Sequence, residues 1–244
     1  MKNIMLKLRY DGTNYCGWQK QTNGETVQGA LEDRLSEFCD EKIAVTGCSR
    51  TDAGVHALEY VCNFRVKTLH EPATIKRALN AKLTKDIAVL DAEYVADEFN
   101  SRFDVAGKTY IYQILNSIEH DPFLHDYAYH IKAMLDVDAI NDAAKLFVGE
   151  FDFSAFTTAE SQEKNTVRVI TDCYAEKMDN LVTITVEGLS FLHNMVRIIA
   201  GTIINVGLGK ILPDDIPKII LSGKRENAGA TAPAKGLFLQ KVEL

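Results

Sequence analysis

The peptide GCSRTDAGVHA, residues 47 to 57, sets Asp52 behind an Arg and a Thr and ahead of Ala-Gly, in a stretch too short and too glycine-bound for a helix. A carboxylate there has two readings. It closes a tight turn, accepting backbone hydrogen bonds while Gly54 takes the positive φ that such turns need, or it is a nucleophile or base presented on a loop. Three further stretches carry groups able to do chemistry: YDGTNYCGWQKQ (10 to 21), GKTYIYQI (107 to 114) and FLHNMVRIIAG (191 to 201). Each has an ordinary structural reading by itself. Trp18, the one tryptophan, caps a core, Tyr110 and Tyr112 suit a strand of period two, and Arg197 lays its stem along a helix surface.

Composition narrows the chemistry. The five cysteines are scattered without a C-x-x-C, and the six histidines show no H-E-x-x-H or other ligand spacing. Neither a disulfide frame nor a metal site is expected, and the cysteine usage points to a reduced cytoplasm. No secretory n-region is present, and the apolar run Phe191 to Leu208 is broken by His193, Asn194, Arg197 and Asn205, so no membrane span is expected. The net charge of −7 has the wrong sign for a nucleic-acid binder. Its distribution is uneven, however. Gly188 to Val242 carries seven bases against three acids, a basic stretch compatible with a polyanion partner.

These residues need elements to aim them, and periodicity supplies a plan. Asn3 to Tyr10 alternates as a half-buried strand with Ile4, Leu6, Leu8 and Tyr10 on one face. Thr26 caps a helix striped by Val27, Ala30, Leu31, Leu35 and Phe38. Short strands follow near Lys42 to Thr46 and Glu59 to Val66, then a helix opened by Pro72 with Ile75, Leu79 and Leu83 in line, and a strand near Ile87 to Val95. That order is β-α-β-β-α-β, the split βαβ plan.

The second half reads similarly. A strand over Lys108 to Leu115 precedes a helix over Val137 to Val148, a hairpin of Val167 to Lys177 with Leu181 to Glu187, and an N-capped helix over Ser190 to Val206. A helix over Pro213 to Leu221 and a strand over Gly236 to Val242 end it. The fold class expected is α+β: two ferredoxin-like subdomains, 1–100 and 101–244, with antiparallel sheets side by side. Asp52 then falls in a connection between adjacent strands, where a rigid sheet can aim it.

Taken together, YDGTNYCGWQ, SRTDAGVHA, FNSRF, KTYIYQI, GEFDFSAF, FLHNMVR and TAPAKGLFL, in that order, resemble the tRNA pseudouridine synthases of the TruA type. The resemblance runs from Tyr10 to Leu239, and R-T-D-A-G-V-H-A is its most specific piece. It implies the pseudouridine synthase fold and isomerisation of uridine to pseudouridine at positions 38 to 40 of the anticodon arm of tRNA, by a cytoplasmic homodimer. The reaction breaks the N1–C1′ bond, turns the uracil over and rejoins it through C5. Nothing is oxidised or hydrolysed, so no cofactor is required.

The resemblance also implies roles. Asp52 matches the catalytic aspartate, and both covalent addition and assisted elimination fit it. Arg197 matches the arginine that keeps that carboxylate ionised. Tyr110 matches the aromatic that stacks on the target uracil and receives the C5 proton, directly or through water. Arg50 matches the arginine that helps flip the uridine, and Leu237 an apolar residue of the uracil pocket. The loop Asp11 to Gly24 resembles the mobile element with which the family grips RNA. One position departs: Ser49 stands where the family commonly has Gly, at a cost of about 1 to 2 kcal/mol if φ there must be positive.

Two other classes compete. Split βαβ units often bind RNA without catalysis, but the aromatic RNP1 pattern is absent and a carboxylate beside phosphates would repel. A sugar-bond hydrolase normally uses paired carboxylates flanking the bond. Here only Asp52 has a recognised catalytic setting, with no second carboxylate to pair with it.

Overall fold

In a computed structural model that describes residues 1–158 and 164–244, the alternating N-terminal run is strand β1 (Lys2–Tyr10). Helix α1 (Val27–Cys39) starts where Thr26 Oγ1 accepts the Gly29 N–H at 3.2 Å, and it buries Val27, Leu31 and Leu35 along one stripe. Strands β2 (Val45–Gly47) and β3 (His56–Val66) follow. Helix α2 (Pro72–Lys82) has its proline in the first turn, where no backbone donor is missed, and buries Ile75 and Leu79. Strand β4 (Ile87–Val95) closes the set. β1 lies between β4 and β3 and is antiparallel to both, while β2 pairs with β3, Val45–Gly47 lying opposite Phe64–Cys62. The two helices pack on each other.

β1 differs from a half-buried strand. Ile4, Leu6 and Leu8 are buried, but so are Asn3 and Met5 on the opposite face. Asn3 Nδ2 donates to the carbonyls of Ala96 and Phe99 at 2.9 Å each, folding the segment after β4 over that face. Asn63 on β3 joins the network, donating to Asn3 Oδ1 at 2.9 Å and accepting the Ser101 N–H at 2.9 Å. Buried amides with satisfied donors and acceptors fix register where an apolar face would only fix depth.

The second set opens with β5 (Gly107–Asn116), followed by β6 (Tyr129–Ile131), α3 (Val137–Lys145), β7 (Gly149–Asp152), β8 (Val167–Met178) and β9 (Leu181–Gly188). Helices α4 (Met195–Gly207) and α5 (Ile216–Ser222) complete it. The sheet order is β5-β9-β8-β7, antiparallel throughout, with β6 added in parallel to β5. α3 packs on β8 and α4.

Several elements differ from the expectation. β6 and β7, three and four residues long, are too short for a period to mark. α3 stops at Lys145, and Pro213–Asp215 is a separate 3-10 turn ahead of α5. The helix expected from Ser190 begins only at Met195, because Asn194 takes the left-handed conformation, φ 60°, through which a right-handed helix cannot be extended backwards.

The last strand, β10 (Leu237–Glu243), pairs in parallel with β3 through Phe238 opposite His56 and Leu239 opposite Ala57. The described chain thus forms two compact units, Met1–Ala106 with Phe238–Leu244, and Gly107–Leu237. One edge of β3 is shared: β2 covers Cys62–Phe64 and β10 covers His56 and Ala57. Among the described residues no helix is long and apolar enough to cross a membrane.

Candidate functional site

Cys48 to Val55 joins β2 to β3. The Val55 N–H donates to the Asp52 carbonyl at 3.1 Å and Gly54 has φ 76°, a turn whose third residue requires glycine. The hydrogen bond that closes the turn is therefore a main-chain bond, made with the backbone of residue 52 whatever its side chain. Along the connection Arg50 is exposed, Thr51 buried and Asp52 half-buried.

The turn is clamped from residues 10 to 18. The Trp18 N–H donates to the Thr51 carbonyl at 3.1 Å, and the Gly54 N–H to the Tyr15 carbonyl at 3.3 Å, one bond on each side of Asp52. Tyr10 and Thr51 share a hydroxyl–hydroxyl bond of 2.9 Å, and the Gly12 N–H donates to His56 Nδ1 at 3.1 Å. Gly17, at φ 88°, lies so close that a Cβ there would stand 2.5 Å from the Thr51 carbonyl oxygen and 3.1 Å from the Asp52 carbonyl carbon. Tyr15 anchors the clamp at its far side, its hydroxyl donating to Asp86 at 2.8 Å. Burial foremost, with Asp86 assisting, pushes that phenol up to about 12, so it remains a donor at neutral pH. Within the loop 11–24, residues 12 to 18 hold the turn, while Gln19 to Gly24 are exposed.

Ser49 incurs no left-handed strain, because its φ is not positive. Its N–H donates to Tyr60 Oη at 3.3 Å and its carbonyl accepts the Tyr60 hydroxyl. Tyr60, whose phenol burial raises well above its ordinary value, stacks on Trp18 at 4.0 Å. The tryptophan is thus part of the core beneath the turn.

In the second unit, Tyr110 on β5 is 6% exposed and meets Phe191 edge-on at 5.2 Å. Tyr112, two residues along the same face, donates its hydroxyl to the Pro233 carbonyl at 2.8 Å. Burial raises its phenol well above the ordinary value, against the pull of the Arg197 guanidinium. Arg197, half-buried on the first turn of α4, donates Nε to the Ala232 carbonyl at 2.8 Å and Nη1 to Asn194 Oδ1 at 2.8 Å. Leu237, 6% exposed, opens β10.

Asp52 and Arg50 therefore share one clamped connection in the first unit, and Tyr110, Arg197 and Leu237 lie in the second. Residue-by-residue reading missed the groups that hold them: Gly17, Tyr15, Asn194 and the Ala232 carbonyl. Glycines at 12 and 17 inside an otherwise polar loop are a visible signal, but what they approach, Val55 and Thr51–Ala53, is set by chain much further along the sequence. Among the described residues no group of three or more His, Cys, Asp or Glu could hold a metal ion. The chemistry on offer is that of a carboxylate on a rigid turn, an aromatic ring walled by a second ring, and a guanidinium held by two fixed acceptors.

A family model described as tRNA pseudouridine synthase matches residues 8–104 and 143–243. The chain is 44% identical to tRNA pseudouridine synthase A 2 of Clostridium perfringens over 242 residues, covering 99% of each. It is 46% identical to tRNA pseudouridine synthase A 2 of Clostridium tetani, covering 99% of this chain and 98% of that one. It is also 46% identical to tRNA pseudouridine synthase A of Clostridium acetobutylicum, covering 99% of both.

The clamp makes a direct test available. Gly17→Ala forces a side chain into a left-handed position and into the Thr51 carbonyl, so it should destabilise the protein by about 1 to 3 kcal/mol in urea unfolding. Amide exchange should accelerate at Trp18 and Gly54, whose N–H groups make the two flanking bonds. Wild-type stability and protection in this variant would mean that the two segments are not held against each other.

Proposed function

The chain belongs to the tRNA pseudouridine synthase family, and on that premise we propose that it isomerises uridine to pseudouridine at positions 38 to 40 in the anticodon arm of tRNA, with Asp52 as the catalytic carboxylate. The observation that carries the reading is the setting of Asp52. A turn sewn down by main-chain bonds on both sides presents a half-buried carboxylate whose own closing bond belongs to the backbone. Pre-set geometry of this kind is what a step at a single sugar carbon needs, because error in placement is costly in rate.

In this mechanism Asp52 acts at C1′ or on the base as the N1–C1′ bond breaks. Arg197 supplies the positive charge that favours the ionised carboxylate. Tyr110 stacks on the extruded uracil, restoring part of the stacking that the base gave up on leaving the helix, while Leu237 lines the pocket and Arg50 fills the space the uridine vacates. The detached ring turns over and C5 bonds to C1′, displacing Asp52 where it has added there. The C5 proton leaves to the Tyr110 hydroxyl, directly or through water, as that hydroxyl passes its own proton on through water, and N1 ends protonated, so N1–C1′ and C5–H are broken while C5–C1′ and N1–H are formed. Bonds broken and formed balance without an oxidant or a hydrolytic water. The same reading makes the enzyme a cytoplasmic homodimer in which one tRNA engages both copies.

Asp52→Asn should fold normally and bind tRNA in a gel shift, yet lose isomerisation by roughly a thousandfold or more when carbodiimide-reactive uridines are mapped on unmodified tRNA. Arg197→Ala should also disable the enzyme. Groups acting as a unit are not additive, so the double variant should be scarcely worse than Asp52→Asn alone. Substantial pseudouridine from a folded Asp52→Asn protein would return the peptide to the status of a turn. Tyr110→Phe keeps the stacking face and removes the hydroxyl, so RNA binding should persist while turnover slows by roughly a hundredfold. An unchanged rate would move the proton to another acceptor. Sedimentation at working concentration should give a dimer, and a monomer would remove that part of the proposal.

A further inference from the structure

Asn194 opens α4 without capping it. An asparagine at this position ordinarily takes an extended backbone and turns its side-chain oxygen to an orphan N–H of the first turn. Here the backbone is left-handed, φ 60° and ψ 2°, and the side chain makes no cap bond. The Met195 N–H instead reaches back to the Leu192 carbonyl at 3.1 Å, closing a turn with Asn194 as its third residue. Glycine is the residue of least strain there.

The side chain is used elsewhere. Asn194 Oδ1 accepts Arg197 Nη1 at 2.8 Å, three residues on, while Arg197 Nε donates to the Ala232 carbonyl at 2.8 Å. A guanidinium is only a donor, so this contact fixes which end of the Asn194 amide faces it. The carbonyl is itself fixed, because the Ala232 N–H returns to the Arg197 carbonyl at 3.1 Å and the Gly229 N–H is tied to Thr202 Oγ1 on α4 at 2.8 Å. Two acceptors on different segments therefore grip two nitrogens of one planar fork, and an arginine side chain with several rotatable bonds is held in one pose.

We propose that Asn194 is a positioning residue for Arg197: it occupies a left-handed site because from there its side-chain oxygen aims the guanidinium. The inference rests on the reading of Arg197 as the residue whose charge serves the carboxylate. It explains two departures at once, the disfavoured backbone and the forgone cap. Strain at a non-glycine residue persists where the surroundings give it a task.

Stability and activity should part company on substitution. Asn194→Gly keeps the left-handed backbone without a Cβ and removes the acceptor. It should melt at or above the wild-type temperature, yet lower kcat by roughly ten- to hundredfold, the effect of losing one hydrogen bond to a charged group. KM for tRNA should stay within about threefold, because Arg197 serves the reacting centre rather than the bulk of the RNA. Asn194→Ala should melt lower but lose the same activity as Asn194→Gly, whereas Asn194→Asp, which retains an oxygen acceptor, should recover most of the rate. Were the residue merely structural, rate would follow melting temperature and Asn194→Gly would turn over like wild type. That result beside an inactive Arg197→Ala overturns the inference alone, while a fully active Arg197→Ala removes the reading beneath it.

Discussion

Main chain pressed on main chain, residues 12 to 18 against residues 51 to 55, is the constraint on which the first unit's functional surface depends. The two bonds that flank Asp52 are ordinary amide hydrogen bonds, each contributing about 1 kcal/mol net. Their importance lies in direction. Because backbone holds backbone, with no side chain between Gly17 and Thr51–Ala53, the turn has little freedom to drift. Trp18 and Tyr60 stack underneath, and Tyr60 holds Ser49 through both its N–H and its carbonyl. The conformation that carries the carboxylate is set by residues that need have no contact with a substrate.

The second unit reaches a comparable result by other means. Both regions contain a four-residue turn whose third residue has positive φ, Gly54 in one and Asn194 in the other. After the first, the chain enters a strand; after the second, it enters a helix buried on most of its surface. Glycine suits the first because the neighbours supply every bond. Asparagine at the second carries an additional hydrogen bond that glycine lacks.

Legibility in the sequence followed length and locality. β4 runs from Ile87 to Val95, the span its alternation marks, and the Thr26 cap of α1 and the positive φ of Gly54 were equally readable because each is decided within a few residues. β6 and β7 hold too few residues for alternation to mark them, and Asn3 looks like a solvent-facing position until Ala96 and Phe99 are seen over it. The candidate residues were picked out by the order and spacing of motifs, which identify a lineage. Their supports could not be: the need for glycine at 17 arises from chain far along the sequence, and the second acceptor that holds Arg197 is a carbonyl at 232. A strand is visible near residue 240, but its partner is not, since pairing leaves no local mark.

That partner bears on the order in which the protein is made. Residues 238 to 244 belong to the unit formed by residues 1 to 106, and Phe238 stacks on His56 at 4.5 Å, directly after the turn that carries Asp52. Translation proceeds from the N-terminus, so every residue of the second unit is synthesised before this strand exists. The first unit must wait on the ribosome with part of the β3 edge uncovered, an edge open to other strands, and the ring beside His56 arrives only after the intervening 131 residues of Gly107–Leu237 have been added. Both halves of the clamp, residues 12 to 18 and 51 to 55, are thus made long before the strand that completes the β3 edge beside them.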